Sequence, residues 1–181
     1  LESLDKIRSV MRHLHPGFSF SAKIDVGNIV TNRFLNNGYG LLFTVGVDSV
    51  TSYIKHKRKN PVLIHVWGTD VSPDVRPDDE GTFEKVRRLL TDFVDKDGAK
   101  LHVIRTNIPG VVNNRALYNA FGLQWWLQIS HSIILSGLCA PLACVTNIGT
   151  LLIASNGRRG YLRATGSHPL VDNHISWADI K

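Results

Sequence analysis

The stretch GLLFTVGVDSVTSYI, residues 40–54, decides how the chain is read. Leu41, Leu42 and Phe43 form a short apolar run of the kind that fills a buried strand; it stops at a glycine, an aspartate and a serine, and a helical pattern follows. A strand that hands its carboxyl end to the first turn of a helix leaves backbone N–H groups pointing outward at the positive end of the helix dipole. In outline this is a seat for an anion such as a phosphate.

Outward from that stretch the same alternation repeats. The spacing predicts a strand over about 40–44, a helix over about 48–58, and a second strand in PVLIHVW (61–67), bounded by Pro61 and Gly68. The segment DDEGTFEKVRRLLTDFVDKDG (78–98) carries Phe83, Val86, Leu89, Leu90, Phe93 and Val94 in a helical stripe, with an acidic start and a glycine stop. KLHVIRT (100–106) reads as a third strand, 114–138 as one long helix, and GTLLIAS (149–155) as a fourth strand. Upstream, Leu4, Ile7, Val10, Met11 and Leu14 predict an amphipathic helix over 1–14; Phe18, Phe20, Ile24 and Val26 suggest short extended pieces ending in the NNGYG turn. Strands alternating with helices imply an α/β domain with an open, mostly parallel sheet and helices on both faces. Ligands of such sheets bind beyond the carboxyl ends of the strands, where the strand order reverses, and residues 40–54 end the first clear strand. The expected division is an N-terminal helix and irregular adaptor over 1–39 and a nucleotide-binding domain over 40–181.

Bulk composition narrows the classes. At 181 residues and 43% hydrophobic content the chain suits one main domain. The most apolar segment, Leu123 to Val145, is interrupted by Gln124, Gln128 and His131, so no membrane partner is expected. Two cysteines and the absence of a leader pattern favour the cytoplasm. A net charge of +6 is compatible with nucleotides, anionic substrates or nucleic acid. Positive charge is densest in KHKRK (Lys55–Lys59) and GRRGYLR (Gly157–Arg163); with only Tyr53 and Tyr161 nearby, the first is best read as the cationic last turn of a helix, and a tRNA partner is the weaker reading.

Neither a Walker loop nor a G-x-G-x-x-G fingerprint is present; the turn reads Thr44-Val45-Gly46-Val47-Asp48-Ser49. Gly46 suits close approach of an oxyanion, Thr44 and Ser49 offer hydroxyls, and Asp48 beside a polyphosphate makes sense if magnesium joins carboxylate to phosphate. The competing reading makes Asp48 or Ser49 a plain helix N-cap. The turn resembles the S-G-G-x-D-S signature of the PP-loop ATP pyrophosphatases, the adenine nucleotide alpha hydrolase superfamily; HVWGTD, TNI, GTLLIASN and GSHPLVDNHISW extend the likeness toward its QueC-like branch, over Gly40 to Trp177. Threonine and valine stand at 44 and 45 where that signature has serine and glycine, and the chain ends at Lys181 where relatives of this type continue.

The resemblance implies an ATP-dependent adenylating enzyme that uses Mg²⁺ and cleaves ATP to AMP and pyrophosphate. It would activate an oxygen of a small-molecule acceptor for nitrogen or sulfur transfer, with a separate donor of that atom. By position, Thr44, Gly46, Asp48 and Ser49 would line the pyrophosphate, Asp48 holding the metal and acting with Ser49 in catalysis; Val66, Trp67 and Gly68 would hold adenine, and Ser167 and His168 would reach the same cleft. The alternatives are a nucleotide-binding or regulatory module without catalysis and a tRNA-modifying member; a homo-oligomer is compatible with either.

Other residues invite chemistry. Cys139 and Cys144 in LCAPLAC, with His131 upstream, could suggest zinc or a sulfur-transfer thiol, but their apolar neighbours read as a buried segment. Asp172 and Asn173 follow His168, while Arg158, Arg159 and Arg163 could neutralise departing pyrophosphate or lie on a surface loop. Of Trp125 and Trp126, one is expected to pack inward and the other to sit at an edge or interface.

Overall fold

A computed structural model describes residues 2–28, 35–71 and 77–154. Four strands, β1 (Gly38–Leu42), β2 (Val62–Trp67), β3 (Leu101–Arg105) and β4 (Ile148–Leu152), form one sheet in the order β3-β2-β1-β4, with every neighbouring pair parallel. Leu41 lies opposite Leu63 and Leu42 opposite Ile64, and Leu63 in turn faces Leu101. β1 begins two residues before the expected strand because Gly38 presses against the backbone preceding β4: its N–H donates to the Asn147 carbonyl at 2.8 Å, and a Cβ there would lie 2.6 Å from that oxygen.

Alternation along β1 and β2 sorts side chains to two faces. On one face Leu41, Phe43, Leu63 and Trp67 pack with Tyr53 of α2 (Val47–His56) and with Leu90 and Phe93 of α3 (Glu80–Asp97). Phe43, Tyr53 and Phe93 form a ring cluster, with Phe43 4.7 Å from Phe93 between centroids and Tyr53 edge-on to Phe93 at 5.3 Å. Tyr53 also donates its hydroxyl to Asp97, which Lys57 pairs, so the end of α2 is tied to the end of α3. On the other face Leu42, Ile64, Val66 and Leu151 meet Leu135, Cys139 and Ala143, and the same cluster is continued by Trp126. The sheet is therefore covered by helices on both faces, as expected for an α/β fold.

Elsewhere the structure corrects the sequence reading. The segment 114–138 is not one helix. After α4 (Ile108–Val111), α5 (Asn114–Phe121) is capped by Asn113, whose side-chain oxygen accepts from the Ala116 N–H at 2.9 Å, and is stopped by Gly122 in the left-handed conformation. The chain then re-enters helix through a π-helical turn (Trp126–Ser130) and runs on as α6 (His131–Val145), well past residue 138. The helix expected over 48–58 starts at Val47 and ends as α at His56; Lys57–Lys59 tighten into a 3₁₀ turn closed by Asn60 in the left-handed region. Residues 15–28 contain no strand; Phe20 instead packs into the cluster around Met11 of α1 (Glu2–Leu14), and Phe18 meets Phe121 edge-on at 5.2 Å.

Met11 of α1 packs with Ile129, and Ile7, Val10 and Leu14 join Trp125 and Ile133 in the same cluster. This explains part of the composition of the continuous helix from Trp126 to Val145, which is long and apolar enough to cross a membrane by length and composition alone and of whose apolar window 39% is buried. The sheet covers one side of it and α1 part of another, while Leu127 and Val145 remain exposed.

Candidate functional site

The loop after β1 is held by its own hydroxyls. Gly46, extended at φ −71° and ψ 158°, is the N-cap of α2, and no side chain caps the helix. Neither Asp48 nor Ser49 therefore takes the N-cap place. Ser49 lies one turn in, is only 3% exposed, donates its hydroxyl to the Gly46 carbonyl at 2.9 Å and accepts from the Thr44 N–H at 3.3 Å. The Gly46 N–H in turn approaches the Thr44 hydroxyl oxygen at 3.4 Å. Ser49 is thus a clasp across the loop. Asp48 is exposed in the first turn, where the dipole favours a carboxylate, and the first amides of α2 lack carbonyl partners within the helix.

Val45 sits in the left-handed region at φ +61°, a conformation a β-branched side chain rarely takes. Its side chain turns into the cluster formed by Leu41, Phe43 and Tyr53 and does not line the cleft above. A glycine is the residue this backbone geometry favours, so the valine is a departure with a backbone cost, not a plug.

Above this loop lies a cavity of about 400 Å³. Thr44, Gly46, Asp48 and Ser49 form its floor, the end of β2 and the following Thr69–Val71 one wall, and His131 and Leu135 of α6 another, with Ile153 and Ala154 beyond β4 completing it. The cavity therefore opens at the carboxyl ends of β1, β2 and β4, where the chain, having built outward from β1 through β2 to β3, returns to the far side of β1.

Its charge is unusual for an anion site. Among the described lining residues there are two carboxylates, Asp48 and Asp70, two histidines, and neither lysine nor arginine. His65 is buried and its Nδ1 lies 2.7 Å from the Phe43 carbonyl; because that oxygen can only accept, Nδ1 carries the proton. Burial lowers the His65 pKa, partly countered by that hydrogen bond and by Asp70. Burial likewise lowers the pKa of His131, which Asp70 partly offsets. Both imidazoles are therefore biased toward the neutral form at neutral pH. Trp126 donates its indole N–H to Asp70 at 3.3 Å and lies edge-on to His131 with centroids 4.9 Å apart.

The chain matches no protein-family model, no curated protein and no solved structure.

Of the residues expected from sequence to bind nucleotide, Thr44, Gly46, Asp48, Ser49, Val66 and Trp67 are gathered on this one cavity. Gly68 is not among its walls. It adopts φ +98°, donates to the Val71 carbonyl at 2.9 Å, and approaches β3 so closely that a Cβ would fall 1.8 Å from the Thr106 oxygen. Its glycine has a packing reason of its own. Ser167, His168, Asp172, Asn173, Arg158, Arg159 and Arg163 lie outside the described residues.

Cys139 is buried between α6 and the sheet, and burial pushes its thiol up to about 12, which suits packing and opposes thiolate chemistry. Cys144 is exposed, and no group of three or more acidic, histidine or cysteine side chains able to hold a metal occurs among the described residues. Trp125 and Trp126 are both half-buried and part company: Trp125 packs toward α1 and Trp126 toward the sheet.

Sequence reasoning did not single out His65, Asp70 or His131 as walls of the cleft. Asp70 closes the quoted HVWGTD run and was within reach; His65 looks like any core position of a strand, and His131 is brought in only by the course of α6.

Proposed function

We propose that the protein binds ATP with Mg²⁺ in this cavity and adenylates a small-molecule acceptor. In that reaction an acceptor oxygen forms a bond to the α-phosphorus, the bond from that phosphorus to the bridging oxygen of the β-phosphate breaks, and pyrophosphate leaves with the electron pair. A nitrogen or sulfur nucleophile then displaces AMP from the acceptor. The observation that carries the reading is the uncapped first turn of α2 opening into a cleft at the strand-order reversal, with Asp48 and Asp70 on its walls. The similarity of Thr44–Ser49 to the PP-loop signature supports it.

The residues present fit the metal. Mg²⁺ is usually held by one or two carboxylates plus substrate phosphates, and the two carboxylates among the described lining residues match that chemistry. When bound, the ion would neutralise phosphate charge and polarise the departing pyrophosphate. The remaining work falls to the chain: the amides at the start of α2 and the Thr44 hydroxyl would position the phosphates, the Ser49 clasp would hold those groups in place, and Val66 and Trp67 would offer the base an apolar wall. Adenylation by an acceptor carboxylate needs no general base.

The test is equilibrium binding of ATP with Mg²⁺ or with EDTA, followed by product analysis for AMP and pyrophosphate against ADP and phosphate, with Asp48→Asn alongside. The expected result is Mg²⁺-dependent ATP binding that Asp48→Asn weakens, and AMP with pyrophosphate once acceptors are supplied. Formation of ADP would overturn the proposed bond cleavage, and failure to bind ATP with Mg²⁺ would overturn the reading as a whole.

A further inference from the structure

We infer that the rim at which the four strands begin, opposite the candidate cleft, docks on an anionic lipid surface through exposed cations and two bare aliphatic side chains. Adsorption of this kind needs no spanning segment, and it departs from the expectation of no membrane partner. It needs nothing from the proposed adenylation.

Because every neighbouring pair is parallel, all four strands start on the same rim, and at about 4.8 Å per strand that rim is about 15 Å wide. Contacts along it fix what meets there. The Lys100 carbonyl, just before β3, accepts from the Leu63 N–H of β2 at 2.8 Å. Lys59, just before β2, lies over the Tyr39 ring of β1 at 4.5 Å. On the far side the Asn36 side chain donates to the Ala143 carbonyl of α6 at 2.9 Å, and the Asn147 side chain donates to that of Asn37 at 3.0 Å. The basic end of α2, the start of β3, the segment before β1 and the end of α6 therefore share one face.

The chemistry of that face selects its partner. Lys55, Arg58, Lys59 and Lys100 are all exposed. Asp97, at the end of α3, is taken up by Lys57 and Tyr53, and among the described residues Lys55 and Arg58 have no carboxylate of their own. Half-buried His56 registers the resulting field: burial lowers its pKa, and Lys59 and Lys55 lower it further. Beside these cations Leu35 is 94% and Val145 80% exposed. Single exposed aliphatics are ordinary on a protein surface, but two nearly bare ones on a cationic rim match a membrane face, where headgroups attract the charges and the tips enter the acyl boundary. A nucleic acid gains little from such tips and calls for free aromatic faces, whereas Tyr39 is already covered by Lys59. Since α2 starts at the cleft and ends here about 15 Å away, a protein held by this rim keeps its cleft open to water.

The test sediments the full chain with vesicles of phosphatidylcholine, alone or with about one-third phosphatidylserine, and measures binding to poly(U) in parallel. Exposed Cys144, next to Val145, carries an environment-sensitive dye, while buried Cys139 stays unreacted. The expected result is binding at least about tenfold tighter to the anionic vesicles, largely lost between about 0.1 M and about 0.5 M salt, with a blue shift of the dye. Each cation near such a surface is worth about fivefold, so Lys55→Gln with Arg58→Gln should weaken binding about 25-fold. Leu35→Ser with Val145→Ser should weaken it at least about fivefold. All four positions are exposed, and far-UV circular dichroism checks that each pair folds as the parent does. Equal binding to both vesicles, no binding to either, or a dye that does not shift would overturn the inference. Vesicle binding that both paired variants leave unchanged would place the contact elsewhere on the chain and overturn it as well. Poly(U) binding that the cation pair weakens and the aliphatic pair does not, without binding to vesicles, would make the rim a nucleic-acid surface instead.

Discussion

Val45 allows the loop geometry to be tested by the sign of an effect. Its φ of +61° is a left-handed conformation, which costs an L-residue with a Cβ about 1–2 kcal/mol. The side chain is half-buried against Leu41, Phe43 and Tyr53, and removing its two methyl groups at half burial costs about 1 kcal/mol, taking about 0.8 kcal/mol for each fully buried carbon. Val45→Ala loses that packing and keeps the backbone penalty, so it should fall about 1 kcal/mol below the parent. Val45→Gly loses the Cβ as well, about 0.4 kcal/mol more at half burial, and is relieved of the larger backbone penalty. It should be more stable than Val45→Ala by about 1 kcal/mol, whereas at an ordinary helix or strand position glycine is less stable than alanine by about 0.5–1 kcal/mol. Urea unfolding of the three proteins reads this directly: with a slope of about 2 kcal/mol per molar, the two variants should differ by about 0.5 M in midpoint. A glycine variant less stable than the alanine variant would mean that residue 45 is not left-handed, and the account of the loop would fail with it. Since the valine points away from the cleft, neither change should weaken ATP binding by itself.

Three further outcomes follow from particular contacts. Gly68→Ala would drive a Cβ into the Thr106 carbonyl at a positive φ, and it should destabilise the protein by at least about 2 kcal/mol, lowering the melting temperature by about 4–8 °C; an unchanged melting temperature would contradict the approach of β2's end to β3. His65 has a folded pKa below its ordinary 6.5, so the unfolded chain binds the extra proton first; stability from this group is full above 6.5 and is lost as pH falls through the lowered folded value. His65→Asn, which can keep an N–H directed at the Phe43 carbonyl, should flatten the loss of stability measured by urea unfolding between about pH 6.5 and pH 5, and an unaltered slope would refute a buried neutral histidine. Finally, Asp70→Asn should weaken ATP binding in the presence of Mg²⁺ more than in EDTA, as read by calorimetry; equal effects in both would remove Asp70 from the metal's environment.

The parts of the fold that were legible in the sequence are those where one local signal suffices. β2 is an apolar run between Pro61 and Gly68, α3 has a stripe and a glycine stop, and both lie close to where they were expected. The helix from 114 failed for a local reason too. Gly122 terminates α5 in the left-handed conformation, but apolar spacing continues across it, so periodicity alone joined two helices. The candidate site divides in the same manner: its floor is contiguous, from Thr44 to Ser49, and could be read as a unit, whereas the HVWGTD run that carries His65 and Asp70 meets that floor only through the parallel register of β1 with β2, and meets His131 only through the packing of α6 on the sheet. No spacing rule within one segment encodes that meeting.

The same topology places the basic run Lys55–Lys59. α2 begins at the cleft and runs for ten residues, about 15 Å, so its basic end at Lys55 and His56 and the following Lys57–Lys59 turn lie at the opposite end of the sheet. There Lys57 is engaged by Asp97, and Lys59 sits over the Tyr39 ring at 4.5 Å. The net charge of +6 therefore does not describe the cleft, whose described side chains contribute two carboxylates and two histidines biased to neutrality. At a separation of about 4 Å and an effective dielectric of about 20, each pair of like unit charges costs about 4 kcal/mol, more than the 0.3–1 kcal/mol that a helix dipole typically returns. The described side chains alone should accordingly repel a bare polyphosphate. In the proposed binding mode a divalent cation offsets that repulsion when a phosphate settles over α2, so comparing ATP binding with and without Mg²⁺ tests the proposal directly.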